Sequence, residues 1–419
     1  MPAVSHLRAA EFLLRYLSDR GPRTMDQGSV TDWSDVADLA VKQELAPLLF
    51  KRLKERNARV LVPADAWERL RMGYFSSAKR NTRLFRELRT VLGCLRDAGI
   101  PVVVLKGAFL AEVVYGDVAL RTMCDVDLMV PRTELPRAQA VLLDLGGIRV
   151  RPTGNELFWQ EHHHPPPIVL RRFSIELHWT ITEPTGPVTV DTAGLWNRVC
   201  PATVAGVQVL ALAPEDQLLH LCLHFCRGNR LIGLRSFCDI AQTIRIYRSE
   251  MNWQQATDIA HEWHAAKYVG LALHLARSMS GAEVPEDVLE RLIPGGLDDQ
   301  VLGAARQAAL GGGGFETWTP VSGLVGARSF GDMVKLFWER VFLPRDEMAR
   351  VYPASRGSRH LFPFYLLRFW DAIRLHGASV LRLVRSPRYR QNKSKDAIVA
   401  NWLRSEELVR QDEDKVKER

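Results

Sequence analysis

Two kinds of apolar spacing alternate along the chain and divide it into helical and strand-like stretches. Leu39, Ala40, Leu45, Leu48 and Leu49 recur near helical spacing, as do Leu84, Leu88, Val91, Leu92 and Leu95, so residues 3–99 read as helices. The second run ends in Asp97-Ala98-Gly99, with glycine just past the last turn. The texture then changes. Ile100–Leu105 (IPVVVL) is a β-branched run suited to a buried strand, and Lys106-Gly107 closes it. Ala108–Tyr115 reads as a helix, Asp125–Val130 (DVDLMV) as a second strand, and Glu134–Leu145 as a helix stopped by Gly146-Gly147. Ile168–Leu170 and Phe173–Ile181 alternate as one or two further strands. These elements make a compact α/β core of roughly a hundred residues.

Helices return at Pro214, where acids fill a first turn. Leu218–Cys226, Leu234–Tyr247, Trp253–His264 and Tyr268–Met279 follow. Gly311–Gly314 is the clearest linker; beyond it Met333–Phe342 and Phe362–Val384 read as helices, and a charge-rich tail starts near Ser386. The expected class is α+β, with the small mixed sheet between helical regions. The expected divisions are a helical region 1–97, a core 98–205, a helical domain 206–310 and a C-terminal helical region 311–419.

Composition narrows this little. The 419 residues carry 56 Lys+Arg against 48 Asp+Glu, a formal net charge of +8. That surplus suits an anionic partner such as a nucleoside triphosphate, nucleic acid or an acidic lipid surface. Nucleic acid is the less favoured of these, because no interleaved aromatic and basic motif of a known kind occurs. The six cysteines form no CxxC pair, the N-terminus lacks an apolar signal-peptide core, and no stretch is long and apolar enough to span a membrane. The expected location is the cytoplasm. The nearest approach to a membrane segment, Leu361–Val384, is broken by Arg368, Asp371, Arg374 and Arg382; it reads as a basic amphipathic helix with an apolar face toward a core.

Chemistry concentrates in the core. Asp125 and Asp127, two apart on a strand, share a face. Two such carboxylates repel, and a fold keeps them together chiefly around a divalent cation, for which Mg²⁺ with substrate phosphates is the hard-ion choice. Glu176 and His178 likewise share a face, alternating with Ile175 and Leu177. Lys106-Gly107, at a strand-to-helix junction, offers backbone N–H groups, a helix N-terminus and an ammonium to an anion. Each of these features, taken singly, also fits a solvated strand face or an ordinary turn.

Their order is more specific. A strand, Lys-Gly, a helix, Arg121, an Asp-x-Asp strand, a helix and an acid on a later strand follow the plan of the polymerase-β-like nucleotidyltransferase fold. The chain resembles a bacterial nucleotidyltransferase family often found as a tailoring member of biosynthetic gene clusters. The likeness spans roughly Trp33–Gly270 and is sharpest in AGIPVVVLKGAFLAEVVYGDVALRTMCDVDLMV (Ala98–Val130). It continues through HHPPPIVLRRFSIELHW (His163–Trp179) and LLHLCLHFCRGNRLIGLRSFCDIA (Leu218–Ala241). Lys-Gly stands where the superfamily usually has Gly-Ser.

The resemblance implies that Asp125 and Asp127 bind two Mg²⁺ ions (or Mn²⁺) and that Glu176 completes the second site or acts as base. It implies that Lys106, Gly107 and Arg121 hold the phosphates of an NTP, ATP by superfamily habit. His178, on the face of Glu176, is counted with these nucleotide-binding residues and is expected to orient Glu176 or touch the acceptor, a packed strand histidine being the alternative. The reaction implied is transfer of an NMP to a small molecule or peptide by in-line attack, in natural-product tailoring. Transfer to a protein or tRNA, and a catalytically idle scaffold, are the rivals. His162-His163-His164 is expected to be extended, its rings diverging, in a loop beside the acceptor cleft. His220, Cys222, His224 and Cys226 are expected on a buried helix, with His224 and Asp239 lining the cleft.

Overall fold

The computed structural model describes residues 2–18, 32–150, 162–184, 187–228, 231, 233–310, 348, 362–370 and 398–403. Residues 1–312 and 400–419 belong to one compact unit, and residues 313–399 to a second. The linker Gly311–Gly314, the helix Met333–Phe342, most of Phe362–Val384 and most of the tail lie outside the described residues. In the second unit residues 362–370 are helical, and Phe362 and Trp370 are two-thirds exposed where an apolar face against a core was expected. Within the expected tail, residues 398–403 are helical; Val399 is buried, and the Lys267 ammonium lies 5.3 Å from the Trp402 ring centre.

The N-terminal helices are α1 (Pro2–Leu17), α2 (Trp33–Lys42), α3 (Ala46–Glu55) and α4 (Ala64–Asp97). The apolar run expected to be one helix is two. Glu44 turns into the left-handed region at φ 58°, and Pro47, with no N–H to give, sits in the first turn of α3. In α4 the buried Leu70, Leu84, Leu88, Val91, Leu92 and Leu95 keep helical spacing over 34 residues.

A seven-stranded mixed sheet follows, in the order β3-β4-β5-β2-β1-β7-β6. Its strands are β1 (Val103–Val104), β2 (Asp125–Met129), β3 (Ile148–Arg149), β4 (Ile168–Leu170), β5 (Phe173–His178), β6 (Cys200–Val204) and β7 (Val207–Ala211). Between β1 and β2 runs α5 (Lys106–Phe109), widened into a π-turn at Leu110–Val114, and α6 (Leu135–Asp144) follows β2. β1 pairs antiparallel with β2, β2 parallel with β5, and β1 parallel with β7. The β6–β7 hairpin was not expected from the sequence. Its two-residue turn, Ala205-Gly206, has φ 54° and 74°, both positive as a type I′ turn requires.

The remaining helices are α7 (Thr192–Asn197), α8 (Pro214–Leu223), α9 (Arg235–Ile246), α10 (Trp253–Glu262), α11 (Ala266–Ser280), α12 (Glu286–Leu292) and α13 (Asp299–Leu310). Every α8 residue from Glu215 to Leu223 is buried. The polar ones are partnered in part: Asp216, fully buried, accepts two hydrogen bonds from Arg198 at 2.8 and 2.9 Å. The result is an α+β fold in which a mixed sheet carries the Asp-x-Asp strand among flanking helices, as expected. No described helix is long and apolar enough to cross a membrane.

Candidate active site

The parallel register of β2 and β5 sets the site. It places Asp125 beside Ser174, Asp127 beside Glu176 and Met129 beside His178, while Val126, Leu128, Ile175 and Leu177 fill the opposite, apolar face. Asp127 and His178 are buried and Glu176 is partly exposed. His178 Nε2 lies 3.1 Å from Asp127 Oδ1 and 3.5 Å from Glu176 Oε2. Asp127, Glu176 and His178 each offer a ligand atom within 4.8 Å of the others, so they have the donors to hold a metal ion. Asp125 is not a member of that closest group.

The charges are unevenly compensated. Burial would raise the Asp127 carboxyl, but the Lys106 ammonium, 3.4 Å from Oδ2, and the His178 hydrogen bond outweigh it and hold the group well below its usual range. Burial followed by the Asp127 and Glu176 charges pushes Asp125 up to about 6. Burial alone would lower His178, yet its bonds to Asp127 and Glu176 raise it. Asp125 thus carries negative charge that its surroundings do not neutralise, and the donor set fits a divalent cation.

The phosphate-side residues converge on the neighbouring end of the sheet. Lys106 opens α5 with φ 27°, a conformation that L-residues rarely adopt. Gly107 allows a close approach: a Cβ there would stand 3.2 Å from Arg121 Nη1 and 3.1 Å from the Met123 sulfur. Arg121 is buried against Asp239, with its Nε 3.2 Å from both carboxylate oxygens and Nη2 3.1 Å from Oδ2. The Tyr115 hydroxyl donates to the same Asp239 at 2.9 Å. Asn81, from the middle of α4, donates to the Arg121 carbonyl at 2.8 Å and fixes the loop before β2. Lys106, Arg121, His224, Arg235 and Asp239 line a cavity of about 20 Å³. Three cations face one anion there, and the volume holds about one water.

Residues 29–281, more than half of the chain, match the model of a family described as uncharacterised nucleotidyltransferase. The chain belongs to this family. No curated protein matches it. Two solved structures are similar in part. The antibiotic-resistance factor ANT(2'')-Ia in solution is 14% identical, with 46% of this chain and 97% of that chain covered at a TM-score of 0.33. ANT(2'')-Ia in a crystal complex with adenylyl-2''-tobramycin is 12% identical, with 44% and 98% covered at 0.32.

In this nucleotidyltransferase-family chain the expected site residues Asp125, Asp127, Glu176 and His178 lie on β2 and β5, Lys106 and Gly107 open α5, and Arg121 lies in the loop before β2. His224 and Asp239 line the same cavity, as expected, and His220, Cys222 and Cys226 are buried. Burial, then the Lys106 charge, lowers His224 to about 3, so it is a neutral neighbour. The three consecutive histidines depart from expectation. Their backbone bends, and the rings gather with centroids 4.2 to 4.6 Å apart rather than diverging.

Arg235 was not singled out in the sequence. It pairs with Glu44 from the α2–α3 turn and donates to the Thr122 carbonyl at 3.0 Å. Its signal was the spacing to Asp239, one helical turn on, which puts both on one face of α9.

Proposed function

We propose that the chain transfers the NMP of an NTP, ATP in particular, to an oxygen or nitrogen of a small molecule or peptide, releasing pyrophosphate, as a tailoring step in natural-product synthesis. The observation that carries this reading is the β2–β5 register, which sets Asp127 and Glu176 side by side with Asp125 one step along the same face. Asp125, Asp127 and Glu176 would hold the divalent cations, Mg²⁺ or Mn²⁺, whose charge offsets that of the phosphates.

The chain's own groups account for the rest. Lys106 leaves Asp127 to pair with a phosphate oxygen, and the Gly107 N–H, in the first turn of α5, faces the same anion. Arg121, oriented by Asp239, keeps Nη1 toward Gly107 for the leaving pyrophosphate. His178 holds the Glu176 carboxylate from behind, and Glu176 takes the proton of the attacking acceptor atom. The new bond joins that atom to the α-phosphorus, and the α–β P–O bond breaks. Since the cavity beside Arg121 holds about one water, nucleotide binding requires side chains to move there.

The test is thermal stability with each of the four NTPs, with and without Mg²⁺, for the wild type and Asp127→Asn. A ligand at 100 times its Kd stabilises by about 2.7 kcal/mol. One NTP should raise the Tm of the wild type only with Mg²⁺, and Asp127→Asn should lose the effect. If none of the four moves the wild type, the proposed function is wrong.

A further inference from the structure

We propose that His162, His163 and His164 form a second metal site, for an imidazole-preferring divalent ion of the Zn²⁺ type, separate from the carboxylate cluster. Consecutive residues on an extended chain point to opposite sides. Here the backbone bends through all three, and each ring offers a nitrogen within 4.8 Å of the other two. The ring centroids stand 4.2, 4.5 and 4.6 Å apart. Three imidazoles capping one ion at about 2.0 Å, with ring radii of about 1.1 Å and the tetrahedral angle of Zn²⁺ between the bonds, would place their centroids about 5 Å apart. The rings are gathered to within about 1 Å of that spacing, His164 edge-on to the other two and His162 stacked on His163 at 29°, so binding an ion requires one ring of the stacked pair to turn.

The supporting shell is also built. Trp179, just after β5, donates from its indole Nε1 to the His162 carbonyl at 2.9 Å and from its backbone N–H to the His163 carbonyl at 3.0 Å. The loop is therefore tied to the sheet at both residues. His164 Nδ1 lies 2.8 Å from the Pro165 carbonyl. A carbonyl only accepts, so Nδ1 carries the proton and Nε2 keeps its lone pair, the tautomer that a carbonyl partner fixes in metal-binding histidines. His163 Nδ1 is buried without a hydrogen-bond partner, an unfavourable state that coordination by a metal would satisfy.

Donor type sorts the two sites. Neutral imidazoles favour Zn²⁺, Co²⁺ or Ni²⁺, whereas the carboxylates and substrate phosphates next door favour Mg²⁺. With three protein ligands the ion keeps an open position. His164 Nε2 lies 3.7 Å from Glu176 Oε2, so the two sites share a wall, and the second ion would set both the loop's position and the field at Glu176.

The experiment titrates Zn²⁺ alone into the full-length, chelator-stripped protein in excess Mg²⁺, against a chromophoric competitor. About one equivalent should bind, His163→Gln should weaken it at least about tenfold, and Asp127→Asn should leave it within about twofold. Co²⁺ added to the wild type gives a second readout that needs no histidine variant: visible absorption bands that Zn²⁺ displaces and that Asp127→Asn retains. The proposal is overturned if Zn²⁺ does not compete in excess Mg²⁺, if His163→Gln binds it unchanged, if Asp127→Asn abolishes it, or if Co²⁺ gives no displaceable bands. These readouts are independent of any NTP effect, so failure here and failure of the transfer reading are told apart.

Discussion

Asp239→Ala tests how the site holds its buried arginine. Arg121 and Asp239 have side chains only 9% and 4% exposed, joined by three contacts of 3.1 to 3.2 Å, and Asp239 also accepts from Tyr115. Removing one partner of a buried pair strands the other charge, at about 3–5 kcal/mol. The Tyr115 hydroxyl, itself buried, loses its acceptor for about 1 kcal/mol more. Asp239→Ala should therefore lower stability by about 4–6 kcal/mol, a large share of a typical folded margin. The double variant Arg121→Met/Asp239→Leu leaves no charge behind and should be the more stable of the two. Urea midpoints followed by tryptophan fluorescence would measure both. A loss under about 1 kcal/mol for Asp239→Ala would show that the guanidinium reaches water, and the reasoning would fail. Inorganic phosphate should restore part of the loss in Asp239→Ala if Arg121 faces an anion site, and should do less for the wild type.

Other outcomes follow from the same geometry. Asp125 is raised from 3.8 to about 6, so between those values the folded state binds more protons than the unfolded one. That group alone takes away about 3 kcal/mol as pH rises through the window. His163, His164, His220 and His224, all lowered first by burial, charge only on unfolding and oppose it, so the fall is read as the difference between the wild type and Asp125→Asn. Millimolar Mg²⁺ should reverse the fall at pH 7.5 and do little near pH 4; a metal-independent pH profile in chemical denaturation would contradict the charge assignment. Gly107→Ala puts a methyl 3.2 Å from Arg121 Nη1 and should weaken NTP binding by about tenfold in a Tm titration while costing about 1–3 kcal/mol of stability. Lys106→Met removes the ammonium beside Asp127 and should strengthen Mg²⁺ binding while weakening NTP binding. Calorimetry showing both affinities moving the same way would refute that division of labour.

The parts legible in sequence were those whose signals are local. β2 and α4 declare themselves by alternation and by helical spacing, and the Lys-Gly, Arg and Asp-x-Asp order names residues that the fold brings together at the candidate site. What was not legible depends on chain reversals and distant partners. The β6–β7 turn uses Ala205-Gly206 rather than an Asn-Gly signal, so the hairpin gave no local cue. The bond between His178 and Asp127 exists only because β2 and β5 run parallel in one register, 51 residues apart in sequence. The histidine run carries no local sign of its bend, because the contacts that hold it come from Trp179, sixteen and seventeen residues downstream of His163 and His162. Arg235 finds its partner Glu44 191 residues away.

The unbroken α4 bears on how far this molecule can be trimmed. At 1.5 Å per residue its 34 residues make a rod of about 50 Å. Its first half packs with α2 and α3, Asn81 at its middle grips the loop before β2, and Arg89 near its far end donates to the Ala205 carbonyl of the hairpin at 2.7 Å. Any fragment beginning at residue 98 loses both the apolar cover of the sheet and the clamp on its Asp-x-Asp strand. The smallest fragment that keeps this sheet intact thus has to include α4, and a protease cut within α4 should unseat the Asp-x-Asp strand even though it severs no residue of the candidate site.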